Sequence, residues 1–223
     1  MERHFDLELN ELKEKILRMG ALVEEQITNA IKALTERNSD LARKVISKDH
    51  LVNAFDVEID EDCLRLIALH QPMARDLRFL TTAMKTSTEL ERMSDLAENI
   101  SERTIELNEE VELKSVKAYA DLRQMAKYTQ QMVKESLDAF VNRNGELARK
   151  VCKDDDKVDQ LNHQIFHELL ALMLEEHYSI TQAIRISFIS KYLERIADHA
   201  TNIAELVVYL IEGKIIRHTT LPE

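Results

Sequence analysis

The sequence predicts an all-α fold of two similar antiparallel three-helix bundles, six long helices related by a pseudo-twofold internal repeat. Three observations carry this. Apolar side chains recur at steps of three and four along most of the chain, the period of one helix face. Turn formers are scarce, with 3 Gly and 2 Pro in 223 residues, too few for the closely spaced turns of an all-β fold. The pattern also restarts near the middle of the chain with the same residues in the same order.

The first apolar face runs through Leu9, Leu12, Ile16, Met19, Val23, Ile27, Ala30 and Leu34 and predicts a helix ending near residues 36–38. Asn38 or Ser39 can cap the next helix, which carries Leu41, Val45, Val52, Phe55, Ile59, Leu66 and Leu69. It stops at Gln71-Pro72, because proline cannot continue a helix and disfavours the helical region for the residue before it. Pro72 suits the first turn of a third helix, which passes Leu77, Leu80, Met84, Leu90, Ala97 and Ile100 and fades near residues 108–110. A fourth helix is expected over about residues 115–142, broken by Asn144-Gly145, and a fifth over about 146–176. His177-Tyr178-Ser179 forms a short joint, and a sixth helix reaches Glu212, with Gly213 placed for a C-terminal cap. Helices of ~30 residues are ~45 Å long, and joints this short make neighbours antiparallel.

The restart is a repeat of residues. Arg37-Asn38-Ser39-Asp40-Leu41-Ala42-Arg43-Lys44-Val45 returns as Arg143-Asn144-Gly145-Glu146-Leu147-Ala148-Arg149-Lys150-Val151, seven of nine identical at an offset of 106. The same offset pairs Asp49 with Asp155 and Asn53 with Asp159. Leu90-Glu91-Arg92, Asp95 and Asn99-Ile100 return as Leu193-Glu194-Arg195, Asp198 and Asn202-Ile203 at an offset of 103. The first half therefore holds three extra residues, around Gln71 to Arg78. Two repeat units follow, residues 1–110 and 111–223.

Composition narrows the function. The net charge is −11 and basic clusters such as Arg43-Lys44 are short, which argues against a nucleic-acid binder. The two cysteines, Cys63 and Cys152, fit no metal spacing and no disulfide framework, so free thiols in a reducing compartment are expected. The first residues lack an apolar signal core, and the longest apolar candidate, residues 203–211, is broken by Glu205. A soluble, cytoplasmic protein without membrane insertion is expected. No phosphate-binding glycine loop or nucleophile motif occurs.

The informative side chains are acidic. Glu91, Asp95 and Asn99 stand at i, i+4 and i+8 on the third helix, and Glu194, Asp198 and Asn202 do the same on the sixth. Adjacent carboxylates repel, by more when half-buried than in water, and Arg92 and Arg195 are expected to point to another face. With the first joint at about residue 72, Asp49 lies level with Asp95 and Asn53 with Glu91. With the second near residue 178, Asp159 lies near Asp198 and Asp155 near Asn202. Each half thus gathers oxygen donors from two helices, a set that suits a hard cation: magnesium, manganese, calcium or iron. The alternative is a pair of solvated acidic faces. Glu58 and Asp62 form a further row, answered only by Gln164 and Glu168, and are a secondary candidate. No histidine has Glu three residues before it, so the Glu-x-x-His of carboxylate-bridged di-iron enzymes is missing. His163, His167, His177 and His199 are read as structural. Arg75-Asp76-Leu77-Arg78 opens the third helix, with Asp76 as an N-terminal cap or, with Arg75 and Arg78, a candidate docking element.

Gln71-Pro72-Met73-Ala74-Arg75-Asp76-Leu77-Arg78, the run Leu90 to Asp95 and the run Tyr192 to Ile203 resemble the PhoU family, and the resemblance covers nearly the whole chain. It implies two three-helix bundles about a pseudo-twofold. It implies a non-enzymatic negative regulator of phosphate uptake and phosphate-starvation signalling, bridging a phosphate ABC transporter ATPase and a sensor histidine kinase. A homodimer, recruited to the inner face of the membrane through its partners, fits the same picture. The resemblance further implies multinuclear metal clusters on the Glu/Asp-x-x-x-Asp rows, hence Glu91, Asp95, Glu194 and Asp198 as leading ligands. Asp49, Asp155 and Asp159 are supporting candidates from hairpin geometry, with Asn99 and Asn202 beside them. The metal stays open among iron, manganese, magnesium, zinc and calcium. A metal-free helical adaptor is the alternative reading, and a carboxylate-bridged metalloenzyme the more distant one.

Overall fold

The protein is described here by a computed structural model covering residues 2–110, 116–175 and 180–216. Six helices account for nearly all of it: α1 (Glu2–Thr35), α2 (Ser39–His70), α3 (Ala74–Asn108), α4 (Val116–Asn142), α5 (Gly145–Glu175) and α6 (Ile180–Glu212). The expected joint at His177-Tyr178-Ser179 and the expected boundary between halves at 110/111 run into positions outside the described residues. No described helix is long and apolar enough to cross a membrane.

Helices α1, α2 and α3 pack on one another, as do α4, α5 and α6, so each half is a three-helix bundle. The apolar stripe read from the first helix is the one that is buried: Leu12, Ile16, Met19, Val23, Ile27 and Ala30 are all core residues. Two contacts join the halves, α3 against α6 and α1 against α4, and the buried side chains form one continuous cluster. Helices α3 and α6 run antiparallel. Arg78 at the start of α3 lies against Gly213 at the end of α6, while Arg185 at the start of α6 pairs with Glu106 (3.0 Å) and Glu110 at the end of α3. The two hairpin tips therefore lie at opposite ends of the molecule.

The repeated Arg-Asn dipeptide has a local physical cause. Arg37 and Arg143 both take positive φ (51° and 49°). The next N–H reaches five residues back, Asn38 to Ala33 (2.8 Å) and Asn144 to Ala139 (2.9 Å), closing the preceding helix. Each Asn then caps the following helix, accepting from the N–H of Leu41 (3.0 Å) or Leu147 (3.1 Å). The left-handed turn residue is thus arginine, and Gly145 is simply the first residue of α5. Arg37 also donates to the carbonyls of Leu107 and Glu110, satisfying the frayed end of α3.

Two expectations at the α2–α3 joint need correction. Pro72 does not open α3. Gln71 turns left-handed (φ 46°), Pro72 lies in the link, Met73 is the extended N-cap and the helix begins at Ala74. Asp76 is not the cap either; it sits inside the first turn, where its charge still faces the positive end of the helix dipole.

The halves touch closely at Gly20 in α1, where an added Cβ would lie 2.9 Å from Leu137 Cδ1 of α4. Gly20→Val should overpack this seam by about 1–3 kcal/mol, lowering Tm by roughly 2–4 °C per kcal/mol. Adding Leu137→Ala should make the double variant less unstable than the two single losses sum to. Thermal unfolding of the four proteins checks this, and simple additivity would contradict the close approach.

Candidate functional site

The α2–α3 hairpin brings carboxylates of both helices to one height. Oxygens of Asp49, Asp95 and Glu98 lie within 4.8 Å of one another, all half-buried. Among the described residues this is the tightest acidic group, holding three carboxylates at that spacing. Asp49 is held on both oxygens. The Ser94 hydroxyl donates to Oδ1 (2.7 Å) and is itself hydrogen-bonded to the buried Gln26 amide of α1, while Asn53 Nδ2 donates to Oδ2 (2.8 Å). Burial pushes Asp95 up from the ordinary carboxylate range, with Asp49 adding repulsion. Burial also raises Glu91, helped by Asp95, Asp56 and Asp49, and raises Glu98, helped by Asp49 and Glu102. Asn99 donates its amide to the Asp95 carbonyl (2.7 Å), so it braces the helix beside the group.

Arg92 departs from its expected orientation. It reaches back to Glu91 and Asp95, both at 3.4 Å, though its side chain is 57% exposed and offsets little of their repulsion. The Glu58–Asp62 row needs no cation, because Lys15 of α1 pairs with both, at 3.1 and 2.7 Å.

In the second half, α5 and α6 gather Asp155, Asp159, Glu194 and Asp198. Asp155 is pushed up to about 7, first by burial and then by Asp198, Asp159 and Glu194. Burial also raises Asp198, with Glu194 and Asp159 next, and raises Asp159, with Glu194 next. The register differs by about one turn from that read off the sequence: Asp155 answers chiefly Asp198, whereas Asn202 donates to Glu89 of α3 (3.0 Å). Glu194 Oε1 accepts from Lys191 (2.6 Å), while Glu194 Oε2 and Asp155 Oδ1 are buried with no hydrogen-bond partner.

Of the other candidates, Arg75 is exposed, and Arg78 packs at the α6 terminus. His199 Nδ1 hydrogen-bonds Glu89 across the seam between the halves (2.6 Å), and His167 lies edge-on to Phe166. His177 lies outside the described residues. Cys63 and Cys152 are free thiols, pushed up to about 12 and about 11 by burial, hence protonated and unreactive.

Four residues of these networks escaped the sequence reading. Glu98 and Asp56 sit on the acidic faces, seven residues from Glu91 and Asp49, and helical spacing alone places them there. They were hidden because the repeat replaces them with Thr201 and Asn162. Gln26 and Ser94 have no acidic signature; their counterparts are Met132 and Ala197.

The model of the PhoU domain matches this chain twice, over residues 16–104 and 122–207, one match within each bundle. The chain is 43% identical over 216 residues to the phosphate-specific transport system accessory protein PhoU homolog of Aquifex aeolicus, covering 97% of this chain and 96% of that one. The crystal structure of PhoU from Pseudomonas aeruginosa superposes with a TM-score of 0.91 at 39% identity, covering 94% of this chain and all of that one. That of the phosphate transport system regulatory protein PhoU from Streptococcus pneumoniae gives 0.87 at 33% identity, over 95% and 98%.

A raised carboxyl stabilises the fold below its unfolded pKa of 3.8, and this contribution is lost as pH climbs through about 7. Chelator-treated protein should therefore lose stability from this group as pH rises from about 4 to about 7, and be less stable at pH 8 than at pH 5. Asp155→Asn should remove that loss and raise Tm at pH 8 by about 2–4 °C, the shift for ~1 kcal/mol in a chain this size. Scanning calorimetry at both pH values checks it; an unchanged or lower Tm at pH 8 would contradict the packing of carboxylates around Asp155.

Proposed function

The chain belongs to the PhoU family, and from that membership we infer that it is an accessory protein of a phosphate-specific transport system, regulatory and not catalytic. The observation that carries this reading is likeness over nearly the full length of relatives bearing that name, with both repeats matched. The finer role proposed is negative regulation of phosphate uptake and of the phosphate-starvation response. The chain would bridge the transporter ATPase and a sensor histidine kinase, acting from the cytoplasmic side as a homodimer. Long helices joined by short turns suit such an adaptor, since each presents an extended rigid face. The division of labour between residues 1–110 and 111–223 follows the two repeats.

The acidic groups are proposed as cation sites. Asp49, Asp95 and Glu98, with Glu91 beside them, would hold one cation in the first half. Asp155, Asp159, Glu194 and Asp198 would hold another in the second. The donor set supports this: every ligand is a carboxylate oxygen, which hard cations prefer. Two of those oxygens, on Asp155 and Glu194, are buried without a partner, a costly state that a cation relieves. A bound cation supplies positive charge that lets the facing carboxylates stay ionised. The residues themselves orient the donors, and Ser94 with Gln26 fixes the rotamer of Asp49. Iron, manganese, magnesium, zinc and calcium all remain admissible. A metal-free adaptor is favoured only for the first half, and by one observation: both oxygens of Asp49 already accept hydrogen bonds.

Metal analysis of protein purified without chelator should find bound divalent or ferric ions, with Asp95→Ala and Asp198→Ala each lowering the content by about half while leaving helicity unchanged. Unchanged metal in both variants sinks the site assignment. Deletion of the gene should leave phosphate-starvation reporters active in high phosphate; full repression in the deletion strain would contradict the regulatory role.

A further inference from the structure

The internal repeat builds two equivalent outer grooves, α1–α2 in the first half and α4–α5 in the second, whose residues correspond at an offset of 106. Three rungs of facing side chains cross each groove. In the second half the chain fills them itself. Tyr128 of α4 places its ring under Lys157 of α5, with Nζ 5.9 Å from the ring centre. Glu135 pairs with Lys150 at 2.6 Å, and the same lysine pairs with Asp154 at 2.8 Å. Gln131, on the middle rung, donates to Glu135 at 2.9 Å.

In the first half the corresponding rungs are Leu22 with Leu51, Glu25 with Lys48, and Asn29 with Lys44. The middle rung is bridged by an ion pair of 2.8 Å. The ring and the lysine above it are replaced by two leucines, of which Leu51 is 40% exposed. Lys44 has lost both carboxylates that hold Lys150. Asn29 stands in the place of Glu135, and Lys48, a like charge one turn away, in the place of Asp154. The groove is correspondingly open. A cavity of about 240 Å³ lies between the helices, running from Leu41 past Val45 to Leu51 and reaching the buried Gln26.

We propose that this groove docks an extended, acidic segment of a partner protein, which sets an aromatic side chain between Leu22 and Leu51 and a carboxylate against Lys44 and Asn29. The second half is the template: ring and carboxylate are the two groups it supplies from its own chain and the first half leaves out. The chemistry is complementary. Lys44 offers an ammonium and Asn29 an amide N–H to the carboxylate, and the leucines seat the ring, the kind of buried aromatic anchor that dominates interface energetics. Size favours a peptide over a free small molecule. The cavity is smaller than the ~300–1,000 Å³ that encloses such a ligand, yet Leu41 to Leu51 spans ten residues of α2, about 15 Å. Leu51 and Lys44 are seven residues, or about 10 Å, apart. A chain in the polyproline conformation presents every third side chain on one side, about 9 Å apart, so ring and carboxylate stand three residues apart in the partner. The groove shares Gln26 with the first acidic group, since that amide is hydrogen-bonded to Ser94 beside Asp49. Docking itself does not depend on a cation.

Titration of the full chain with the capped peptides Gly-Ser-Phe-Pro-Pro-Glu-Ser-Gly and Gly-Ser-Glu-Pro-Pro-Phe-Ser-Gly, followed through backbone amide chemical shifts, tests this. At least one order should bind with a Kd of about 1 mM or tighter, with the shifts clustered in residues 22–29 and 41–51. Replacing Phe by Ala, or Glu by Gln, in that peptide should weaken it about tenfold. Closing the groove as the second half does, with Leu22→Tyr, Asn29→Glu and Leu51→Lys together, should abolish binding while circular dichroism stays helical. Lys44→Glu alone, at an exposed position, should weaken binding about tenfold and decides the matter if the triple variant misfolds. Neither peptide shifting the groove walls saturably overturns the proposal, as does wild-type affinity in the closed variant or in Lys44→Glu.

Discussion

Like charges brought face to face organise this molecule. Antiparallel packing of α2 on α3, and of α5 on α6, sets carboxylates from neighbouring helices at one height in half-buried surroundings. Repulsion there is several times stronger than in bulk water. The basic side chains near these groups lie largely in solvent and screen little, as with Arg92 at 3.4 Å and 57% exposure. What holds the helices in place is the shared apolar core running through both halves, closed by the tight seam at Gly20 and by Arg185 and Arg78 at the two ends of the α3–α6 pair. The fold therefore maintains two concentrations of negative charge that its own side chains leave largely unanswered.

The two halves treat that charge differently. In the first, Ser94, itself held by Gln26, and Asn53 each donate a hydrogen bond to Asp49, which fixes its rotamer. In the second, Met132 and Ala197 stand where Gln26 and Ser94 would be, and Asp155 keeps a buried oxygen with no partner. Burial, and then the charges of Asp198, Asp159 and Glu194, raise Asp155 to about 7. One half is prepared by hydrogen bonds and the other is left electrostatically strained. The proposed cation sites are in this sense unequal, the strained one having more to gain from a positive ion.

Much of the architecture was legible in the sequence because it rests on periodicity and repetition. Apolar steps of three and four gave all six helices, and the Arg-Asn dipeptides marked two joints, although the sequence could not show that arginine itself takes the left-handed turn. Hairpin symmetry placed Asp49 opposite Asp95. It misplaced Asp155 and Asp159 by about one turn because the second hairpin was centred near residue 178, whereas the Ser190–Asn162 hydrogen bond centres it near residue 176. Pro72 was misread as helical because its fixed φ suits both a first turn and a link, and only the left-handed Gln71 before it decides between them. Insistence on repetition also hid Glu98 and Asp56, which exist in one half alone. The bridge from His199 and Asn202 to Glu89 was invisible for another reason: it spans the seam between halves, and no local spacing encodes which helices meet there.

The central claim is that each bundle's facing carboxylates are a place for a cation. Anomalous diffraction from crystals grown with manganese tests it most directly. The account predicts peaks between α2 and α3 beside Asp49, Asp95 and Glu98, and between α5 and α6 beside Asp155 and Asp198, with the stronger peak at the second. Peaks confined to other surfaces, or none at either hairpin at saturating metal, would contradict it.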